Sequence, residues 1–124
     1  MSHISKIEVQ INDLEALKQA CKNLGLEFRE NQTHFRWYLG YGNCTHVIRV
    51  PGATYEVGIV QKGETYELLW DDFYSGGLVQ KLGNNACHLK KEYSLERVKN
   101  EAKKKRYNVT EQQMQNGTRL VLSA

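Results

Sequence analysis

The stretch Tyr55-Glu56-Val57-Gly58-Ile59-Val60-Gln61-Lys62-Gly63-Glu64-Thr65-Tyr66-Glu67-Leu68-Leu69-Trp70 decides the fold. A two-residue turn at Lys62-Gly63 would pair Gln61 with Glu64. Tyr55, Val57 and Ile59 then share a face with Tyr66, Leu68 and Trp70, while Glu56, Gly58, Thr65 and Glu67 face the other way. Register and burial agree, which is the signature of an antiparallel hairpin with one face on a core.

Upstream, Lys6 to Ile11 alternates with period two, a half-buried strand carrying Ile7, Val9 and Ile11 inward. Asn12 and Glu15 have capping-box spacing and open a helix whose apolar stripe is Leu14, Leu17, Cys21 and Leu24. Gly25 ends it, and Leu26-Glu27-Phe28 begins another strand. Asn31 to Thr45 reads as a short strand with an irregular, glycine-containing exit. Thr45 to Val50 is a strand, closed by the Pro51-Gly52 turn.

Downstream the period changes. Leu78, Leu82, Ala86, Leu89 and Tyr93 recur at helical spacing, interrupted by Gly83-Asn84-Asn85. Ser94 is a candidate cap for a second helix with inner residues Leu95, Val98 and Ala102. Asn116-Gly117 signals a closing hairpin between Val109–Gln115 and Thr118–Leu122. Residues 1–124 therefore form a single α+β domain, an antiparallel sheet built from hairpins with helices packed on one face.

The chain has 124 residues, enough for a core without disulfides or metals. Cys21, Cys44 and Cys87 are odd in number and widely spaced, which suits a reducing compartment. Met1 to Lys6 resembles neither a secretory signal nor a transit peptide, and no apolar run approaches a membrane span. A cytoplasmic protein without membrane insertion is expected. The four Asn-x-Ser/Thr triplets, at Asn31, Asn43, Asn108 and Asn116, then carry no glycan.

The net charge of +3 is unevenly spread. Lys90 to Arg106 holds eight Lys/Arg against three Glu, a local net of +5. Lys99, Lys103, Lys104, Lys105 and Arg106 are the candidate partner-binding residues. The helix dipole also favours cations at this C-terminal end, so the cluster has a structural reason to exist as well.

No catalytic, metal or cofactor site is expected. Cys87 and His88 are adjacent on a helix, about 100° apart, and cannot both reach one ion. Cys44 and His46 are near in sequence but lack an orienting third group. Asp71-Asp72 follows a hairpin, where carboxylates cap helices or face solvent, and Gly76-Gly77 lacks the Lys-Ser/Thr of a phosphate loop. The alternative to protein binding is a single-stranded nucleic acid. Arg29, Arg36, Trp37, Tyr38, Tyr41 and Arg49 interleave cations with rings, as single-strand platforms do. That reading requires the basic helix and the Arg36-Trp37-Tyr38 segment to share one surface. A protein-binding module instead has Trp37 and Tyr38 buried or in an apolar patch.

Three blocks carry a resemblance. They are Met1-Ser2-His3 with Ser5, Ile7, Ile11, Asp13–Lys18 and Leu24-Gly25; Tyr55-Glu56-Val57-Gly58 with Gly63, Tyr66-Glu67-Leu68 and Asp71; and Val109, Glu111-Gln112-Gln113, Gly117 and Arg119-Leu120-Val121-Leu122. In order and over nearly the whole chain, they resemble the conserved hypothetical chloroplast reading frame thirty-five family, a domain of unknown function in cyanobacteria, algal plastids and some other bacteria. The resemblance implies no catalytic residue. Some members are encoded near an ATPase of the AAA type, which implies an adaptor or assembly role. Plastid members carry a Trp-rich segment between Phe73 and Lys91. This chain has Tyr74-Ser75-Gly76-Gly77-Leu78 there, so a plastid stroma is the second expectation for its compartment.

Overall fold

The computed structural model describes residues 3–105 and, for the backbone only, 108–114 and 117–123. The strands are β1 (Ile4–Ile11), β2 (Glu27–Arg29), β3 (His34–Trp37), β4 (Gly40–Asn43), β5 (His46–Arg49), β6 (Glu56–Lys62), β7 (Thr65–Asp71), β8 (Asn108–Met114) and β9 (Gly117–Ser123). The helices are α1 (Leu14–Asn23), α2 (Leu78–Leu82) and α3 (Cys87–Lys104). Five strands form an antiparallel sheet in the order β1-β7-β6-β5-β2, and β3-β4 and β8-β9 are separate hairpins. The fold is α+β, as expected.

The deciding hairpin forms with its register moved by two residues. Lys62 pairs with Thr65 and Ile59 with Leu68, so the turn is Gly63-Glu64. Gly63 takes φ 64 at the first central position, where a primed turn needs a positive φ. A shift of two preserves the faces. Val57, Ile59, Leu68 and Trp70 are buried together with Ile48, Leu17, Cys21, Leu78, Leu82, Leu89 and Tyr93 in the main core. Burial of each such aliphatic side chain stabilises by about 1.5–3 kcal/mol.

The helix boundaries need three corrections. Asp13, not Asn12, caps α1, its Oδ1 accepting from the Ala16 amide at 3.0 Å. Asn12 instead accepts the Tyr93 hydroxyl at 3.2 Å. The chain between α2 and α3 breaks at Gly83 (φ 86), Asn85 and Ala86 (both φ 54), and α3 then runs unbroken through Ser94. Leu95 and Val98 are not core residues, and Val98 is 40% exposed. Buried Glu96 takes their place, held by Asn23 Nδ2 at 2.9 Å and Lys99 Nζ at 3.3 Å, because α3 meets α1 through polar side chains. Val98 lines a groove of about 380 Å³ with Val9, Tyr93 and Ala102.

In the last hairpin Met114 pairs with Gly117, again two residues from the expected register. The tip, Gln115-Asn116, lies outside the described residues, as does Arg106.

Candidate functional site

The sheet has a second face, away from the helices. Pairing places Arg29, Val47, Gly58 and Leu69 in one row across it, and Glu27, Arg49 and Glu56 in the next. The segment expected to be one irregular strand is a second hairpin, β3-β4, with Arg36 opposite Tyr41 and Trp37 opposite Gly40. Its inner residue Phe35 is fully buried. Phe35 fits because glycine stands on both sides of its ring: a Cβ at Gly58 of the sheet would stand 2.3 Å from Phe35 Cδ1, and one at Gly42, its own partner on β4, 2.7 Å from Cε1. The hairpin's edge is fastened by Glu56, which accepts the Arg36 amide at 2.8 Å.

The tip of this hairpin is Tyr38-Leu39. Two-residue turns favour Gly, Asn or Asp for their positive φ. Here Gly40, at φ 118, supplies the positive φ, which frees the tip for large apolar side chains. Tyr38 is 62% and Leu39 71% exposed. Tyr38 is therefore not part of the sheet core, a correction to the first of the two environments expected for it. Trp37 is half-buried, and its indole N–H is buried with no partner among the described residues.

Asp71 fixes where the tip sits. Its side chain is fully buried at the end of β7. Oδ2 accepts the Tyr38 amide at 3.4 Å and Oδ1 the Phe73 amide at 3.0 Å. One carboxylate thus joins the hairpin tip to the segment that follows the sheet. Phe73 and Tyr74 are exposed there as well, at 42% and 77%. Four exposed large side chains thus stand on the two segments that Asp71 joins. Leu39, Phe73 and Tyr74 were not singled out from sequence; the signal for Leu39 was an apolar pair followed by glycine, Tyr38-Leu39-Gly40.

Beside the hairpin is a polar concavity of about 440 Å³, lined by Arg29, Arg36, Tyr41, Arg49, Ala53, Thr54 and Glu56. Three arginines from β2, β3 and β5 converge on it. Arg29 is bonded to Glu27 at 2.9 Å, whereas Arg49 stands 3.6 Å from the same carboxylate, beyond hydrogen-bond reach. Hydrogen bonding to Tyr41, and then the Glu56 charge, push the Arg36 guanidinium further above its ordinary range. Arg36, Tyr41 and Arg49 are thus brought together; Trp37 and Tyr38 belong to the apolar end.

The basic end of α3 is elsewhere. Lys103, Lys104 and Lys105 are exposed and Lys99 is half-buried against Glu96. Lys104 borders a hollow with Glu64 and Thr65, at the start of β7, while Tyr38 is fastened at the end of β7. Six residue steps along β7 separate the two, about 20 Å, and the two regions lie on opposite faces of the sheet.

The thiols of Cys21 and Cys44 are not activated. Burial pushes the Cys21 thiol up to about 12, and burial followed by the Glu56 charge pushes Cys44 up to about 11, the reverse of an activated nucleophile. Cys44 Sγ donates to the Gln32 carbonyl at 3.3 Å, and His46 Nδ1 accepts the Asn31 amide at 3.0 Å. Among the described residues, no three His, Cys, Asp or Glu are grouped to hold a metal ion, and no helix is long and apolar enough to cross a membrane.

An α+β sheet with helices on one face and a hairpin on the other defines the class. The family model described as Protein of unknown function (DUF1257) matches residues 20–122, and the chain belongs to that family. It is similar to the uncharacterized protein ycf35 of Guillardia theta, 25% identical over 96 residues, which cover 69% of this chain and 75% of that protein. The reading-frame resemblance noted in the sequence is therefore borne out. No solved structure matches the chain.

Proposed function

We propose that the protein is a non-enzymatic protein-binding module whose contact surface is the apolar end formed by Tyr38, Leu39, Phe73 and Tyr74. The carrying observation is that buried Asp71 fixes an exposed, apolar hairpin tip in place. Exposed aromatic side chains on a rigid support are the usual anchors of protein interfaces. The basic end of α3, with Lys99, Lys103, Lys104 and Lys105, and with Arg106 next in the sequence, is a second contact for the same partner. An ATPase of the AAA type is the partner class we put forward first, on the gene neighbourhood that the family resemblance implies.

A single nucleic-acid strand is the weaker reading, since Trp37 is half-buried and Tyr38 belongs to the apolar end, so of the three rings expected to stack only Tyr41 stands with the arginines.

The test is affinity capture from native lysate with the wild-type chain and with Tyr38→Ser/Leu39→Ser. A stoichiometric protein retained by the first and lost by the second, at unchanged thermal stability, is the expected result. Equal capture by both, or turnover of a substrate by the purified chain, overturns the proposal.

A further inference from the structure

The concavity beside the β3-β4 hairpin is separate from the apolar end and unused by the function proposed above. We propose that it binds a tetrahedral oxyanion, the phosphate group of a small phosphorylated molecule, between Arg29, Arg36 and Arg49.

The charge and the donors fit. Three guanidiniums meet two carboxylates, Glu27 and Glu56, so the pocket keeps a net positive charge. Glu56 is already engaged by the Arg36 backbone amide, and Glu27 holds Arg49 only loosely. Each guanidinium offers five N–H donors in a planar fork. A carboxylate presents two oxygens in one plane. A phosphate monoester presents three oxygens and can meet several arginines at once. The arginines stand on three strands fixed by pairing, and the hairpin that carries Arg36 is held by Phe35 and Glu56, so their backbone positions around the concavity are set before a ligand arrives. Thr54 and Tyr41 line the same space and add hydroxyl groups. The volume of about 440 Å³ suits a small molecule. The rim is polar, which separates this site from the apolar end.

The measurement is an NMR titration of the arginine Nε–H signals of the full chain at constant ionic strength, because screening alone moves exposed charges. The probes are inorganic phosphate, ribose 5-phosphate, AMP, adenosine and acetate. Saturable shifts of the Arg29, Arg36 and Arg49 signals with the phosphate-bearing probes are expected, with adenosine and acetate at least tenfold weaker. Tighter binding of ribose 5-phosphate or AMP than of inorganic phosphate identifies a phosphorylated molecule as the source; equal affinity identifies the free ion. Arg36→Gln and Arg49→Gln should each weaken binding about tenfold, the size of one lost charge-assisted contact. Lys22→Gln, an exposed cation in the last turn of α1, should change nothing. Unsaturable shifts, binding that survives both arginine variants, or acetate as tight as phosphate would each overturn the site. A single-stranded oligonucleotide that binds far more tightly than AMP would overturn it too, in favour of a nucleic-acid surface.

Discussion

The ring of Phe35 lies against the bare Cα of Gly58. A methyl group at Gly58 would stand 2.3 Å from Cδ1 and 2.6 Å from Cε1 of that ring. Phe35 is fully buried yet sits outside the main core, on the face of the sheet that the helices leave open. Phe35 is therefore the buried apolar contact that seats the β3-β4 hairpin on the sheet, beside the polar fastenings at Glu56 and Asp71. Phe35→Ala is expected to cost about 3–5 kcal/mol, the usual range for a buried phenylalanine. Gly58→Ala should also destabilise, since ring and methyl cannot share the space. Chemical denaturation measures both, and a Gly58→Ala chain as stable as wild type would show that the ring moves freely.

Asp71→Asn replaces one carboxylate oxygen by an amide N–H₂. Both oxygens accept backbone amides, so one of the Tyr38 and Phe73 amides must lose its partner. A buried donor left unsatisfied costs about 1–3 kcal/mol. Hydrogen exchange at the Tyr38 and Phe73 amides should rise while the centre of β6 stays protected. Unchanged exchange at both amides would remove Asp71 as the anchor of the apolar end.

Burial, and then the Lys18 charge, lower the pKa of His46 below its ordinary value. Its Nδ1 accepts from Asn31, and its ring stands near Phe28 and Tyr66. Protonation would set a donor against a donor. A folded-state value below the unfolded one means that the contribution is fully present above the unfolded value, about 6.5, and is lost as pH falls through the folded value. The imidazole titration followed by NMR should have its midpoint under 6.5. A midpoint at or above it would contradict the buried, neutral ring.

Gly83 takes φ 86 and ψ 171, a region that is essentially glycine's alone. A Cβ there would stand 2.5 Å from Cys87 Sγ. Gly83→Ala is expected to lose about 1–3 kcal/mol. Thermal unfolding checks it, and a neutral result would place the break between α2 and α3 elsewhere.

The α+β class and the inward set of the central hairpin were legible because period two survives a register shift of two residues. Val57, Ile59, Leu68 and Trp70 face the core in either register. The β3-β4 hairpin was not legible. Its turn, Tyr38-Leu39, lacks the residues that announce hairpins, and the glycine that permits it comes one position later. The course of α3 was misjudged for a related reason: Ser94 has a capping side chain, but the helix is already set by the break at Gly83 to Ala86. Arg29, Arg36, Tyr41 and Arg49 were visible as residue types; their convergence depends on non-local pairing of β2, β5 and β6, which no local pattern encodes.

The basic end of α3 separates a binding role from a structural one. Lys103 and Lys104 lie in the last turn and Lys105 caps it; all three are exposed. Cations there gain about 0.3–1 kcal/mol each from the helix dipole, a gain that salt screens. Lys103→Gln/Lys104→Gln/Lys105→Gln should therefore lower stability by no more than about 2–3 kcal/mol at low salt and by less at 0.5 M. Glu96→Ala makes the contrast. It removes a buried carboxylate from Asn23 and Lys99, an interaction between α1 and α3 that salt reaches poorly. Its cost should persist at high salt. If the partner contact uses the basic end, the triple variant weakens capture of the partner while Glu96→Ala, once folded, retains it. A triple variant that unfolds at high salt, or that captures the partner as wild type does, would assign the cluster a structural role alone.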